Sequence, residues 1–307
     1  MRIKYEDIFY QALRIRMVEE KITELYPTDK IQSPVHLSVG QEHHISALMS
    51  QLKKTDQVFT TYRGHAVYIA KGGSLKKLFA ELYGKLTGIS KGKAGSMHLT
   101  APEVNMMGSS AIVGATLSHT LGAAYALKYL KKDNIVVSVT GDGSTEEGVF
   151  NECLNFASLK KLPLLFVIEN NDLAIHSFTK TRQSFNLKKL TEAYGITYKR
   201  ITDNFDMLGV ASTAAAIISD IKRKEKPALL EIVTYRYRGH VGVTEDFHHK
   251  YRDRAECVRC MQKDPLIQNH ALIRKFKGRI EKEINEAVAF AERSPVPGRE
   301  ELLKGCY

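Results

Sequence analysis

Cysteine is scarce: four residues in 307 (Cys153, Cys257, Cys260 and Cys306) are too few for a disulfide scaffold. Cys257 and Cys260 form a C-x-x-C, but no second ligand pair stands at zinc-site spacing, so they read as helical neighbours and no metal is assigned to them. Long apolar runs are missing too; none approaches the roughly 20 residues that a membrane-crossing helix needs. No internal repeat or low-complexity segment is present. Acidic residues are outnumbered 34 to 45 by basic ones, and the resulting net charge of +11 raises the question of nucleic acid. The lysines, however, are scattered in pairs (Lys53-Lys54, Lys76-Lys77, Lys131-Lys132, Lys160-Lys161, Lys188-Lys189), mostly near expected helix ends, where cations complement the helix dipole. The denser stretches Lys222 to Lys226 and Arg274 to Arg279 carry no recognition motif, so an acidic partner surface is the better reading. The N-terminus mixes charged and apolar residues at helical spacing, which makes it an amphipathic helix and not a signal peptide, and the expected compartment is the cytoplasm.

At 43% hydrophobic and 26% charged residues, the chain has an ordinary globular balance. Its pattern predicts one α/β domain, a doubly wound, mostly parallel sheet flanked by helices, with an N-terminal helical arm to about residue 30 and a C-terminal helical region from about 265 to 307. Ile135 to Val139 is a β-branched run that reads as a buried parallel strand and ends at Gly141-Asp142-Gly143. A helix is predicted from about Glu147 to Lys160, and Leu164 to Ile168 is a second buried strand, running into Glu169-Asn170-Asn171. A strand-helix-strand unit of this kind brings the carboxyl ends of both strands to one crevice. There Asp142 offers a carboxylate oxygen and Asn171 an amide oxygen, a set that magnesium accepts when phosphate and water complete it. Gly141 and Gly143 admit a phosphate close to the backbone, and the following helix points its amides at the anion. Taken singly, each motif is also a common turn signal. Further helices are expected in the second half of Val35 to Leu52, at Ser74 to Tyr83, Ala115 to Leu130, Met207 to Lys222 and from Pro265 onward; strands are expected at Val58 to Thr61 and Ala228 to Val233, and a loop at Thr87 to Thr100.

With these motifs the chain resembles the alpha subunit of the thiamine-diphosphate-dependent first component of 2-oxo acid dehydrogenase complexes, the pyruvate, branched-chain 2-oxo acid and acetoin dehydrogenase family. The resemblance runs in order through His36-Leu37-Ser38, Gly40-Gln41-Glu42, Tyr62-Arg63-Gly64-His65, Ala80-Glu81-Leu82-Tyr83-Gly84-Lys85, Gly95-Ser96-Met97-His98, Ile112-Val113-Gly114-Ala115 and Thr234-Tyr235-Arg236-Tyr237-Arg238-Gly239-His240. It implies the thiamine-diphosphate-binding fold, with Asp142, Asn171 and the backbone carbonyl of Leu173 as Mg²⁺ ligands and Gly143 and Ser144 along the diphosphate. It implies cofactor contacts from Tyr62, Arg63 and Arg236, and places Ala111 and Val113 against the aminopyrimidine ring. His240 matches a loop histidine near the cofactor, and His36 and His65 match histidines of the active-site entrance. Either of the latter two reads equally well as a satisfied structural histidine beside an apolar strand. Tyr62, taken without Arg63, reads equally as core.

The resemblance also implies that the glutamate activating the cofactor comes from a separate beta subunit, within an α₂β₂ heterotetramer, and that a lipoyl-carrying acyltransferase is the next partner. The expected reaction is oxidative decarboxylation of a 2-oxo acid, or cleavage of an acyloin such as acetoin, with acyl transfer to lipoyl. The alternative is a non-oxidative, transketolase-like half-enzyme acting on a larger ketone or sugar. Departures from the pattern keep the substrate open: Ser144-Thr145-Glu146-Glu147 follows the Asp, Leu173 replaces an aromatic residue, and about two extra residues lie between His240 and Tyr251. His176 and the loop Val241 to His249 are therefore candidates for a wider, more polar pocket.

Overall fold

The structure, a computed structural model, describes residues 4–305; Cys306 and the last residues of the expected C-terminal region lie outside them. Its frame is one six-stranded, wholly parallel sheet built from β1 (Gln57–Thr61), β2 (Met106–Ser110), β3 (Val136–Gly141), β4 (Leu164–Asn170), β7 (Thr197–Ile201) and β8 (Ala228–Val233), in the order β2-β1-β3-β4-β8-β7. A two-stranded antiparallel hairpin, β5 (Leu173–Ala174) with β6 (Ser177–Phe178), projects after β4.

Both faces of the sheet are covered, which explains why its central strands are continuous apolar runs. Successive side chains alternate across a strand. Val137, Val139, Leu165, Val167, Leu230 and Ile232 therefore face one core, and Val136, Leu164, Phe166, Ile168 and Leu229 the other. The first core is closed by helices Tyr5–Leu25, Glu42–Met49, His65–Lys71, Met207–Lys224 and His270–Arg293, and the second by Ala115–Tyr129 and Gly148–Leu159. The N-terminal helix is packed along its length, burying Phe9, Ala12, Ile15, Val18 and Ile22. The C-x-x-C lies on the helix Arg254–Met261, with Cys257 buried, and no cluster of three metal-ligating side chains occurs among the described residues. No described helix is long and apolar enough to cross a membrane.

Strand order decides where a ligand can sit. From β1 the chain turns outward to β2, and from β3 it proceeds the opposite way to β4, so the order reverses between β1 and β3. In open α/β sheets the crevice at such a reversal, beyond the carboxyl ends of the strands, is where ligands bind. Thr61-Tyr62-Arg63 leaves β1 there and Gly141-Asp142-Gly143 leaves β3 there. The loop before β2 is held in shape by one buried carboxylate. Glu81 accepts backbone N–H groups from Ser90 (2.7 Å), Gly92 (3.0 Å), Ala94 (2.7 Å) and Gly95 (3.1 Å), which sets Met97 at the wall of the crevice.

Candidate active site

The crevice is a cavity of about 400 Å³. It is lined by His36, Tyr62, Arg63, Ala111, Val113, Asp142, Gly143, Ser144, Asn171, Leu173 and His240, eleven of the residues singled out in the sequence. They arrive from six separate segments, so their convergence is a property of the sheet topology and not of neighbourhood in the chain.

At the end of β3, Asp142 opens a 3-10 turn (Asp142–Glu146), and the helix expected from about Glu147 runs from Gly148 to Leu159. The turn keeps the Asp142 side chain, 3% exposed, in the cavity wall. Burial pushes its carboxyl above the ordinary carboxylate range, and Arg182 only partly offsets that by donating from Nη2 to Oδ2 at 2.6 Å. Opposite, β4 ends at Asn170 and Asn171 follows it, and the two side chains diverge. Asn170 donates to Glu231 at 2.6 Å, away from the cavity, whereas Asn171 lines it, accepting from the Leu173 N–H at 3.1 Å and donating to Gln41 Oε1 at 3.4 Å. The glycine at 143 has a specific reason: a Cβ there would stand 2.9 Å from Cβ of Ala174, so hairpin β5–β6 can lie against the turn only if the side chain is missing.

The other side of the cavity is aromatic and cationic. His36 and Tyr62 have ring centroids 4.4 Å apart, His36 and His240 5.2 Å, and Tyr62 and His240 5.7 Å. Arg63 binds these loops together, donating to the Leu37 carbonyl at 2.6 Å and the His240 carbonyl at 3.1 Å. Burial, and after it the charge of Arg63, pushes both imidazoles from 6.5 down to about 3, so both are neutral in the working range. Nδ1 of His36 is buried without a hydrogen-bond partner among the described residues, as suits a group that receives its partner from a ligand.

This depression sets a pH dependence. Unfolded imidazoles take up a proton near 6.5 and the folded ones near 3, so between those values the unfolded state binds more protons and stability falls as pH falls. Replacing His240 with Asn is expected to shrink the loss of melting temperature between pH 7 and pH 5. An undiminished loss in the variant would show that His240 does not carry it.

Two of the expected site residues stand elsewhere. His65 is fully buried, with Nδ1 3.0 Å from Glu19 and Nε2 2.8 Å from Ser96, so it braces the N-terminal helix against the loop before β2 and does not line the cavity. Arg236 is 1% exposed and does not line it either. Asp246 (3.0 Å), the Arg238 carbonyl (2.7 Å) and the Ile175 carbonyl (3.0 Å) take up its terminal nitrogens, although its Nε has no partner among the described residues. His176 and residues 241–249 are likewise outside the wall; His176 packs on Tyr251 at 4.7 Å and on His249 at 5.6 Å at the surface. In the other direction, Gln41, Glu169 and Glu146 line the cavity without having been assigned there, and Arg182 grips Asp142. Glu169 accepts from His44 at 2.7 Å and from Gln41 at 3.5 Å. Gln41 and Glu169 sit inside quoted motifs, so their signal was present; Arg182 had none.

Residues 10–300 match the model of the family described as Dehydrogenase E1 component. The chain belongs to that family. It is 35% identical to the pyruvate dehydrogenase E1 component subunit alpha-3, chloroplastic, of Arabidopsis thaliana, over 99% of this chain and 73% of that protein. It is equally 35% identical to the pyruvate dehydrogenase E1 component subunit alpha of Rickettsia prowazekii, over 99% of this chain and 96% of that one. The subunit alpha of Rhizobium meliloti is 34% identical, over 96% of this chain and 87% of its own. The E1 chain described above is accordingly an alpha subunit of the 2-oxo acid dehydrogenase type and an oxidoreductase, and membership implies thiamine diphosphate as its cofactor and a beta subunit as its partner.

Proposed function

We propose that this E1 alpha chain oxidatively decarboxylates a short 2-oxo acid, pyruvate foremost, and passes the acyl group to a lipoyl-carrying acyltransferase, working in an α₂β₂ assembly with Mg²⁺ and thiamine diphosphate. One observation carries the reading: a buried carboxylate and an amide oxygen, from the ends of adjacent parallel strands, enter one cavity that also holds two neutral imidazoles. The donor set suits a hard cation, since Asp142 and Asn171 offer oxygen and the Leu173 carbonyl a third. The site's preference for positive charge is visible in the Arg182 guanidinium on Asp142.

In this reading Asp142, Asn171 and Leu173 hold the metal, and Gly143 and Ser144 run along the diphosphate. Tyr62 and Arg63 face the cofactor from the opposite wall, and Ala111 and Val113 meet its aminopyrimidine ring. Arg236 acts from behind, fixing the hairpin through the Ile175 carbonyl. Thiamine diphosphate, when bound, supplies a nucleophilic carbon and a cationic ring that accepts the electron pair left as carbon dioxide departs. The chain's own part is to orient and to move protons. His36 and His240, uncharged at neutral pH, can each donate or accept at a substrate oxygen without presenting a competing charge. His65 supports the entrance from the interior. Ile112 is 70% exposed and Val113 39% beside the cavity, an apolar rim suited to the beta subunit, which brings the activating glutamate.

The test is carbon dioxide release by the co-purified alpha and beta chains with Mg²⁺, thiamine diphosphate, an artificial electron acceptor and a panel of 2-oxo acids. Release coupled to acceptor reduction, fastest with pyruvate, is expected. Turnover of acyloins or sugar ketones alone, with no acceptor reduction from any 2-oxo acid, would overturn the reading.

A further inference from the structure

Arg182 belongs to none of the motifs that define the site, yet it makes the most direct contact with the carboxylate at the centre of it. It ends the short helix Thr179–Arg182, which follows hairpin β5–β6. Its guanidinium donates from Nη2 to Asp142 Oδ2 at 2.6 Å and from Nε to the Ser177 carbonyl at 3.0 Å, and Nη1 pairs with Glu146. We propose that Arg182 is a resident counter-cation of the metal site, neutralising Asp142 until a divalent cation displaces it onto Glu146. The inference rests on the reading of Asp142 as a metal ligand and adds to it the step by which the metal enters.

The physical case has three parts. A carboxylate as enclosed as Asp142 is costly without a positive partner, so the fold needs a cation there whether or not a metal has arrived. Arginine keeps its charge at any working pH, and its planar fork can hold two carboxylates together. The second carboxylate is placed for the exchange: the Glu146 side chain is 27% exposed against 4% for Asp142, and Gln183 Nε2 fixes it by donating at 2.8 Å. Arg182 thus retains a partner after leaving Asp142. Arg182 sits on Oδ2 and sets its charge beside the position a metal ion on this carboxylate would take, so the two cations repel and compete for one anionic group. The apparent metal affinity is then the intrinsic affinity reduced by the fraction of molecules in which Arg182 has let go.

The probe is Mn²⁺, titrated by the electron paramagnetic resonance signal of the free ion into the assembled alpha–beta complex at saturating thiamine diphosphate. Arg182→Gln is expected to bind Mn²⁺ about tenfold more tightly than wild type, since the competing cation is gone. Glu146→Gln is expected to bind more weakly, because Arg182 then has only Asp142 to hold. The double variant should match Arg182→Gln, for Glu146 acts through Arg182. Arg182→Lys, which keeps a charge without the bridging fork, should fall between, and it supplies the answer if the glutamine variant does not fold. Unchanged or weaker binding in both Arg182 variants overturns the inference. If wild type binds Mn²⁺ and Asp142→Asn does not, that failure leaves the metal site standing. Absence of Mn²⁺ binding in wild type and Arg182→Gln alike brings down the metal-site reading and this inference with it.

Discussion

Asp142→Asn is expected to abolish carbon dioxide release by the assembled enzyme at ordinary Mg²⁺ concentrations, while Asp172→Asn leaves it near the wild-type rate. The two positions make a matched pair. Both are aspartates at the carboxyl ends of central strands, beside the glycine and asparagine motifs. Asp142 is nearly enclosed and lines the cavity, whereas Asp172 is exposed at φ +63°, and its carboxylate accepts from the Thr179 N–H at 3.2 Å. Asparagine tolerates that left-handed backbone and keeps the accepting oxygen, so Asp172→Asn changes little. At 142 the same exchange removes the one carboxylate offered to the metal and leaves Arg182 with Glu146 alone. Residues that merely orient metal ligands cost ~10–100-fold in affinity when replaced, and loss of the charged ligand itself should exceed that. The measurement is the rate against Mg²⁺ concentration, with circular dichroism to confirm that the variant is folded. Activity within tenfold of wild type at limiting Mg²⁺ would remove Asp142 from the metal site.

The sequence specifies a position legibly where the neighbours that fix it are local. The strands β3, β4 and β8 were legible because burial on both faces demands uninterrupted apolar residues, and Ala228 to Val233 was placed to the residue. The edge strands were not. Met106–Ser110 contains Gly108 and two serines and has no β-branched residue, and it is a strand because it pairs with β1 and because Ser109 Oγ ties Leu99 and Met97 beside it. Thr197–Ile201 carries Lys199 and Arg200, which suit an edge exposed to water and leave no apolar run to mark a strand. Asp142 and Asn171 were legible for the same reason as the central strands, since the ends of a strand-helix-strand unit must converge. His65 could not be placed, because its orientation is set by Glu19, 46 positions away, and by Ser96. Arg236 matched its motif, but Asp246, ten positions on, holds its guanidinium away from the cavity. Arg182 depends on a hairpin with two-residue strands, too short to leave a periodic signal.

A second large effect is expected far from the chemistry: Asp264→Ala should lower the stability of the folded chain by ~3–5 kcal/mol, the usual consequence of stranding a buried charge. Asp264 is fully buried and receives four donors. Oδ1 accepts from His43 Nε2 at 2.8 Å and the Leu266 N–H at 2.7 Å, and Oδ2 from Arg16 Nη2 at 2.9 Å and the Tyr237 hydroxyl at 3.0 Å. These donors come from the N-terminal helix, the helix after Gly40-Gln41, the C-terminal region and the segment that carries Arg236 and His240 into the site. Arg16 also pairs with Glu42, which accepts the Gly40 N–H at 2.9 Å, so one carboxylate links four pieces of the chain through a single network. Alanine would leave Arg16 with one counter-charge for a buried guanidinium, and His43, Tyr237 and the N–H of Leu266 without acceptors. The expected fall in melting temperature is on the order of 10 °C, measured by thermal unfolding of the assembled complex. Burial pushes this carboxyl up, but His43 and Arg16 overcome that and hold it well below the ordinary carboxylate value. Its contribution is therefore intact above the unfolded value of 3.8 and is lost only as pH falls through the lower, folded one. Stability lost between pH 6.5 and 5 belongs instead to imidazoles such as His36 and His240, so Asp264→Ala should lower the melting temperature at pH 5 by no less than at pH 7. A shift that shrinks markedly at pH 5 would mean that Asp264 is already taking up its proton there, and that His43 and Arg16 do not hold it as the geometry requires.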